Sequence, residues 1–497
     1  MAETGRRPRV GMISLGCAKN LVDSEVMLGE LAQRGYEVVS DLESAETVVV
    51  NTCGFIEEAR QESIDTILEA VARKGKGVER VLVAGCMVNR YGEELAREIP
   101  EIDGFVGLDQ LREVGEVVQL GGGPPLPKPS HLVFDHTAPR LLTTRGHAYL
   151  KVAEGCNNPC TFCAIPIWRG RFRSRTIPSL VEEARRLEGA GLVELNLIAQ
   201  DTTRYGEDLG LGRHGLVRLV EALLAATDVS WVRFLYAYPT TLDEDLLRLM
   251  AAEPRFCPYL DIPLQHSHRE MLKAMRRGGD AGRYLRLLDR ARELVPGIFL
   301  RSTFIVGFPG ETEEHFADLL AFVARARFDH LGAFAYSPEP GTPSAALGGR
   351  VPRQVARRRL RQLLAAQRPI ALASRRRLLG RRLEVLIEGP CEETEHLLQG
   401  RHQGMAPEID GRVLINDGIP DPALEGPGLG GLGFDGVDQP GAPVNAGAAG
   451  ALGTARSAAL GPKPALATVE ITEAHADDLV GRVVGVPFAP ALATPAA

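Results

Sequence analysis

The sequence predicts an α/β protein in three parts: an N-terminal doubly wound parallel sheet, a partial (βα)6 TIM-like barrel and a small C-terminal β-barrel. Three patterns carry that expectation. Up to about residue 91, an apolar run ends in a short turn and passes into an amphipathic helical pattern three times over. Between residues 148 and 336, six strand candidates alternate with helical patterns, a repeat that closes into a full or partial barrel of parallel strands. After residue 383 the chain offers short strand candidates separated by turns, in the number a five-stranded barrel needs. A chain of 497 residues also exceeds what one hydrophobic core supports, so several domains are required.

In the first part, residues 8–125, strand candidates at 9–15, 47–51 and 80–84 precede helices at 21–33, 56–73 and from about 91. Each strand ends beside a cysteine: Cys17, Cys53 and Cys86. The carboxyl ends of an open parallel sheet form its ligand-binding edge, so these residues can converge although far apart in sequence. Adjoining Gly16, Gly54 and Gly85 allow tight turns there. A single cysteine so placed reads as core packing, but three equivalent ones point to a three-thiolate iron–sulfur site. Leu28, Leu31, Ile64, Ile67 and Leu68 read as helix faces packed on the sheet. Gly- and Pro-rich residues 121–131 read as an extended linker.

In the second part, residues 146–350, the strand at 148–153 feeds directly into Gly155-Cys156-Asn157-Asn158-Pro159-Cys160-Thr161-Phe162-Cys163. Soft thiolates suit zinc or iron–sulfur clusters, and a closed zinc site needs four ligands where this loop supplies three. One coordination position stays open, unless a distant His or Cys completes a zinc loop. Further strands are expected at 192–199, 231–237, 259–264, 298–306 and 330–336, with helices at 180–188, 216–226, 242–252, 281–294 and 313–326. The same barrel rim carries Gln200, Asp201 and Thr202, then Gln265 and His266, then Gly307-Phe308-Pro309-Gly310-Glu311. That last stretch reads equally as close backbone approach to a cofactor and as a turn with helix N-cap. His266 reads equally as a structural hydrogen bonder and as a substrate group. Arg169, Arg171, Arg173 and Arg175 read as a solvated or substrate-facing edge, and Cys257 as structural.

Residues 351–382 form a basic linker: from 353 to 382 there are eleven arginines and no acid, in a helical pattern broken by Pro369. It can touch RNA phosphate or lie on acidic surface of its own protein. The third part, residues 383–486, has strand candidates at 383–388, 397–399, 411–415, 469–472 and 479–484. Residues 383–418 and 469–486 hold 12 acids against 3 arginines, which repels a phosphate backbone and attracts a basic protein. Between them, 29 of the 50 residues from 419 to 468 are Gly, Pro or Ala, so this insertion is expected to be disordered. With 57 basic and 64 acidic residues overall, the net charge of -7 gives no global case for nucleic-acid binding. The N-terminus lacks the apolar core of a secretion signal and no long apolar run marks a membrane span, so the expectation is a cytoplasmic protein whose cysteines are ligands rather than disulfides.

Cys156, Cys160 and Cys163 match the signature of the radical S-adenosylmethionine enzymes. Residues 383–486, closing in Asp478-Leu479-Val480-Gly481-Arg482-Val483, resemble a TRAM domain, apart from the insertion. The order of three parts resembles the methylthiotransferases. Within them, Ser14-Leu15-Gly16-Cys17-Ala18-Lys19-Asn20, Ala199-Gln200-Asp201-Thr202-Thr203-Arg204-Tyr205-Gly206, Asp261-Ile262-Pro263-Leu264-Gln265-His266 and Tyr336-Ser337-Pro338-Glu339-Pro340-Gly341-Thr342 resemble the RimO type, which modifies an aspartate of a ribosomal small-subunit protein. The resemblance implies two 4Fe-4S clusters, one on each cysteine set, and S-adenosylmethionine as cofactor, with Gly307, Phe308, Gly310 and Gln200 as candidate contacts to it. It further implies that a 5'-deoxyadenosyl radical takes hydrogen from the aspartate β-carbon and that the cluster at Cys17, Cys53 and Cys86 presents a methylated sulfur. An electron donor and the ribosomal protein are the implied partners. A transfer-RNA adenosine methylthiotransferase and a non-catalytic iron–sulfur scaffold or electron carrier are the alternatives.

Overall fold

The computed structural model describes residues 6–120, 134–391, 393–417 and 465–485. The expected linker at 121–131 and most of the 419–468 insertion lie outside the described residues.

The first part runs β1 (Arg9–Ser14), α1 (Ala18–Gln33), β2 (Glu37–Val39), β3 (Thr47–Thr52), α2 (Glu57–Val71), β4 (Arg80–Gly85), α3 (Cys86–Glu98), β5 (Gly104–Val106) and α4 (Val114–Leu120). Its sheet is wholly parallel in the order β2-β1-β3-β4-β5. Because strand side chains alternate, Val49 and Leu82 meet α1 and α4 on one face, while Val48, Val50, Val81 and Val83 meet α2 and α3 on the other. Every residue of β3 is therefore buried. Two helices begin earlier than the pattern predicts, at Ala18 rather than 21 and at Cys86 rather than 91, with a kink at Tyr91. Lys19 and Asn20 mask the helical period in the first turn of α1, the kink at Tyr91 interrupts it in α3, and the three-residue edge strands β2 and β5 are too short to register.

Helix α1 is buried continuously from Lys19 to Leu31, far beyond one amphipathic face. Its apolar side packs on the sheet, and its polar side is covered by the second part of the chain. Arg140 pairs there with both Glu25 and Glu183.

The second part contains β6 (His147–Lys151), β7 (Ala153–Glu154), α5 (Ile165–Arg169), β8 (Arg173–Ser174), α6 (Ile177–Gly189), β9 (Glu194–Ile198), α7 (Gly215–Ala226), β10 (Trp231–Phe234), α8 (Glu244–Ala252), β11 (Tyr259–Asp261), α9 (Arg269–Ala274), α10 (Ala281–Leu294), β12 (Phe299–Val306), α11 (Glu313–Ala326) and β13 (His330–Ala335). Six strands form two parallel triplets, β6-β9-β10 and β11-β12-β13, linked where Val232 bridges to Phe256. Among the described residues no ladder joins β6 to β13, so the barrel is partial.

Helix α12 (Arg353–Arg376) is continuous through Pro369, where the sequence suggested a break. Its inner face supplies the reason: Leu363, Gln367, Ala371 and Arg375 are buried, and Gln367 Nε2 donates to the Phe328 carbonyl at 2.8 Å, so tertiary packing outweighs the one backbone bond that proline removes. Its arginines mostly engage their own protein, with Arg353 on Glu57, Arg358 on Glu313, Arg359 on Glu311 and Arg368 on Asp477, and Arg377 just past its end pairs with Asp329.

The third part, β14 (Arg382–Cys391), β15 (Thr394–His402), β16 (Val413–Asp417), β17 (Ala465–Ala474) and β18 (Leu479–Gly485), closes into a barrel in the order β14-β15-β16-β18-β17. Strand β17 starts at Ala465, inside the range assigned to the insertion, because small alanines conceal its alternation. This barrel is docked against the amino ends of the larger barrel's strands. Glu194, the first residue of β9, accepts from Arg233 Nε at 2.8 Å and Arg401 Nη2 at 2.7 Å, all three buried. Tyr259 donates to Asp410 at 2.6 Å, and Tyr149, Trp231, Leu386 and Ala406 share one apolar cluster with Leu21 and Val22 of α1.

His147 and His402 lie buried at this seam, and burial pushes each down to about 3. Below pH ~6.5 the unfolded chain takes up protons that the folded protein refuses, so stability falls from there toward pH 3 by up to ~1.4 kcal/mol per pH unit for each histidine. Urea unfolding between about pH 7.5 and about pH 5.5, on either side of the free histidine value, is expected to show this loss, and His147→Phe to make the slope shallower.

Candidate active site

The edge of the first sheet gathers its three cysteines. Cys17 is the solvent-exposed N-cap residue of α1, its carbonyl accepting from the Asn20 amide at 2.8 Å. Desolvation by the surrounding protein opposes ionisation, but Lys19, Arg169 and the neighbouring backbone amides outweigh it and hold this thiol below its ordinary value. Gly16 has φ +92°, and a Cβ on it would stand 2.8 Å from Cys53 Cβ, so glycine lets the two strand ends meet. Asn20 ties the edge together, its Nδ2 donating to the carbonyls of Leu15 at 2.7 Å and Thr52 at 3.0 Å, with its Oδ1 3.8 Å from Cys86 Sγ. Burial pushes Cys53 up to about 12 and Cys86 up to about 11. A bound metal cation would convert such thiols to thiolates.

On the barrel rim, Cys156, Cys160 and Cys163 sit on the loop between β7 and α5. The loop is anchored at several points. Asn158 Nδ2 donates to Asp201 at 2.7 Å, Thr161 Oγ1 to the Ala274 carbonyl at 2.8 Å, and the Cys156 amide to the Gly170 carbonyl at 3.1 Å. Two donors aim at sulfur: the Asn158 amide at Cys156 Sγ, 3.4 Å, and Arg277 Nη1 at Cys160 Sγ, 3.5 Å. Burial pushes Cys156 to about 11 and Cys163 to about 12.

One short helix joins the sets. Six residues after Cys163, at the end of α5, Arg169 donates through Nη2 to Cys86 Sγ at 3.1 Å and to Asp23 at 3.0 Å, and through Nη1 to Glu154 at 2.9 Å. Lys151 bonds the same two carboxylates, Asp23 and Glu154. Trp168 and Ala164 pack on Cys86. From the other side, Lys19 reaches into the barrel mouth, its Nζ 3.3 Å from the Ala199 carbonyl and 3.4 Å from the centre of the Tyr236 ring. The two carboxyl-end faces thus meet at one junction.

The remaining rim residues have specific placements. Gln200 Nε2 donates to Glu154 at 2.8 Å. Phe308 is fully buried with Met271 and Met275. Gly307 has φ +75°, and a Cβ there would lie 2.4 Å from Ala356 Cβ, so close packing of α12 explains this glycine. Gly310 donates to the Gly349 carbonyl at 2.8 Å, and Thr312, not the glycine stretch, is the N-cap of α11. His266 is structural: its Nδ1 accepts from the amides of Ser267 and His268, and Nε2 faces Glu311 at 3.3 Å. Arg169 and Arg175 are buried and ion-paired, overturning the reading of that run as a solvated edge; only Arg171 is exposed. Alternation suggested a strand edge, but the acids that bury these arginines are distant in sequence. Arg277 carried no local signal, whereas Lys19 stood inside the Ser14-Leu15-Gly16-Cys17-Ala18-Lys19-Asn20 stretch.

The family of radical S-adenosylmethionine proteins matches residues 150–323, "Uncharacterized protein family UPF0004" residues 9–107, and the TRAM domain residues 379–428. A "Ribosomal protein uS12 methylthiotransferase RimO" from Anaeromyxobacter sp. (strain K) is 45% identical over 479 residues, 96% of this chain and 93% of that relative. The protein of the same name from Myxococcus xanthus (strain DK1622) is 44% identical over 97% of this chain and 93% of its own. The chain belongs to the RimO family. Like other members of the RimO family it is therefore an enzyme, a radical S-adenosylmethionine methylthiotransferase, and the electron-carrier reading falls away. Two structures of the radical S-adenosylmethionine methyltransferase TsrM from Kitasatospora setae share its fold, with TM-scores of 0.50 and 0.51 at 18% and 15% identity, covering 68% and 73% of this chain and 77% and 89% of theirs. Among the described residues no helix is long and apolar enough to cross a membrane.

Arg169→Met is expected to leave Asp23 and Glu154 sharing only Lys151 among the strong cations at the junction, costing ~3–5 kcal/mol in chemical denaturation of the metal-free protein. Arg169→Lys should recover part of it.

Proposed function

We propose that this enzyme transfers a methylthio group to the β-carbon of an aspartate in ribosomal protein uS12, in the cytoplasm, using S-adenosylmethionine, two 4Fe-4S clusters and an external electron donor. The observation that carries the reading is the Arg169 junction, which ties the two cysteine sets to one place, together with relatives that bear the uS12 name over nearly the whole chain. The transfer-RNA reading has no comparable observation behind it.

The donor sets fit such groups. Each offers three thiols, one short of a closed tetrahedral site, and each has nitrogen donors aimed at sulfur, as anionic cluster ligands require. When bound, clusters and S-adenosylmethionine supply one-electron activation of a carbon–hydrogen bond and the methylated sulfur that replaces the hydrogen. The chain's own residues supply the geometry. Asn158 and Arg277 orient the rim thiolates, Arg169 and Asn20 orient Cys86, and α5 fixes the span between the sets. Gln200 and the backbone of Gly307 and Gly310 flank the rim as contacts to S-adenosylmethionine, while the Phe308 ring serves as packing beneath them. Arg357, Arg361 and Arg376, exposed and without an ion pair among the described residues, are the places on α12 for any RNA contact.

Mass spectrometry of uS12 after incubation with reconstituted enzyme, reductant and S-adenosylmethionine is expected to show a methylthio group on aspartate; the same modification on transfer RNA alone would decide for the other branch. Iron should be about eight per chain. Replacing Cys17, Cys53 and Cys86 by Ala should remove about half of it and abolish transfer. Replacing Cys156, Cys160 and Cys163 should remove the other half and abolish cleavage of S-adenosylmethionine. Iron near four in the intact protein would overturn the second cluster (about four being one cluster's worth).

A further inference from the structure

Among the described residues, the junction between the cysteine sets holds a buried lysine whose ammonium meets no carboxylate. Asp23 and Glu154 are shared by Lys151 and Arg169, Asp261 pairs with Arg301, and Glu25 with Arg140. Lys19 forms no ion pair with any described carboxylate, although only 7% of it is exposed. Its Nζ touches the Ala199 carbonyl at 3.3 Å and the face of Tyr236 at 3.4 Å. An ammonium has three donors, and one carbonyl and one ring face leave one of them unspent. A buried charge without a carboxylate partner is costly, and a bound anion would offset that cost.

Position gives that ligand its chemistry. Lys19 stands two residues after Cys17, on the first turn of α1, and its head lies at the carboxyl ends of β9 and β10 where the barrel opens toward the cysteines. The first turn of α1 adds the positive end of a helix dipole. We propose that Lys19 binds the side-chain carboxylate of the target aspartate and selects it over an uncharged side chain. The assignment rests on the aspartate reading given under Proposed function. Lys19 then acts as a specificity-determining residue: it fixes the carboxylate so that the adjacent β-carbon faces the gap between the two cysteine sets.

The test uses the cluster-reconstituted full chain and two fluorescent peptides that copy the target loop of uS12, one with aspartate and one with asparagine at the modified position, with binding read by anisotropy. Wild type is expected to hold the aspartate peptide at least ~10-fold more tightly, the effect of one charge-assisted bond. Lys19→Met should bring the two peptides within ~2-fold of each other, and Lys19→Arg should retain a preference of several-fold. Lys19→Gln repeats the measurement should the methionine variant fail to fold, and iron is determined on each variant. Equal binding of both peptides by wild type overturns the assignment and leaves the substrate reading standing. A variant that loses iron yet keeps the full preference also overturns it, since Lys19 would then serve only as a counter-ion to the cluster at Cys17. Wild type that binds neither peptide overturns the substrate reading itself, and this assignment with it.

Discussion

The arrangement depends on a buried exchange of charge among Arg169, Lys151, Asp23 and Glu154. Two cations and two anions share one dry junction, each ion bonded to both opposites. Placing them there is expensive in desolvation, and the expense is recovered only when all four are in register. Asp23 comes from α1, Lys151 and Glu154 from the first strands of the barrel, and Arg169 from the helix that follows the cysteine loop. A shift of either part would strand a charge, so the network specifies one docked geometry more than it adds stability. Arg169 extends this constraint to the chemistry, because the guanidinium that completes the network also touches Cys86.

Helix α1 is the element through which the parts communicate. Its apolar stripe completes one face of the first sheet, and Leu21 and Val22 join a cluster with barrel residues and with Leu386 and Ala406 of the small barrel. Its acids, Asp23, Glu25 and Glu30, are buried and paired rather than solvated. A single helix thereby belongs to two cores, an arrangement possible only because its acids find arginines and a lysine on neighbouring segments.

Much of this was legible in the sequence. The alternation of apolar runs and helical patterns located the main parallel strands of the sheet and barrel, and the cysteines announced themselves by standing at equivalent strand ends. Sequence reading failed where partners are distant. Arg169 and Arg175 resembled a solvated run because Asp23, Glu154 and Glu183 lie elsewhere in the chain. Pro369 resembled a helix break because the packing that carries α12 past it comes from Phe328 and the barrel flank. The demand on Gly307 to admit Ala356 was likewise hidden, because it is set by packing of the distant helix α12. Periodicity reports which face is inside; it carries no information about what the inside face meets.

Strand β9 has the small barrel at one end and the chemistry at the other. Glu194 at its start grips Arg401, while the carbonyl of Ala199, just past its end, receives Lys19. At ~3.3 Å per residue, that strand sets a fixed separation of roughly 17 Å. The strand therefore acts as a spacer that keeps the small barrel at the end of the larger one opposite the cysteines.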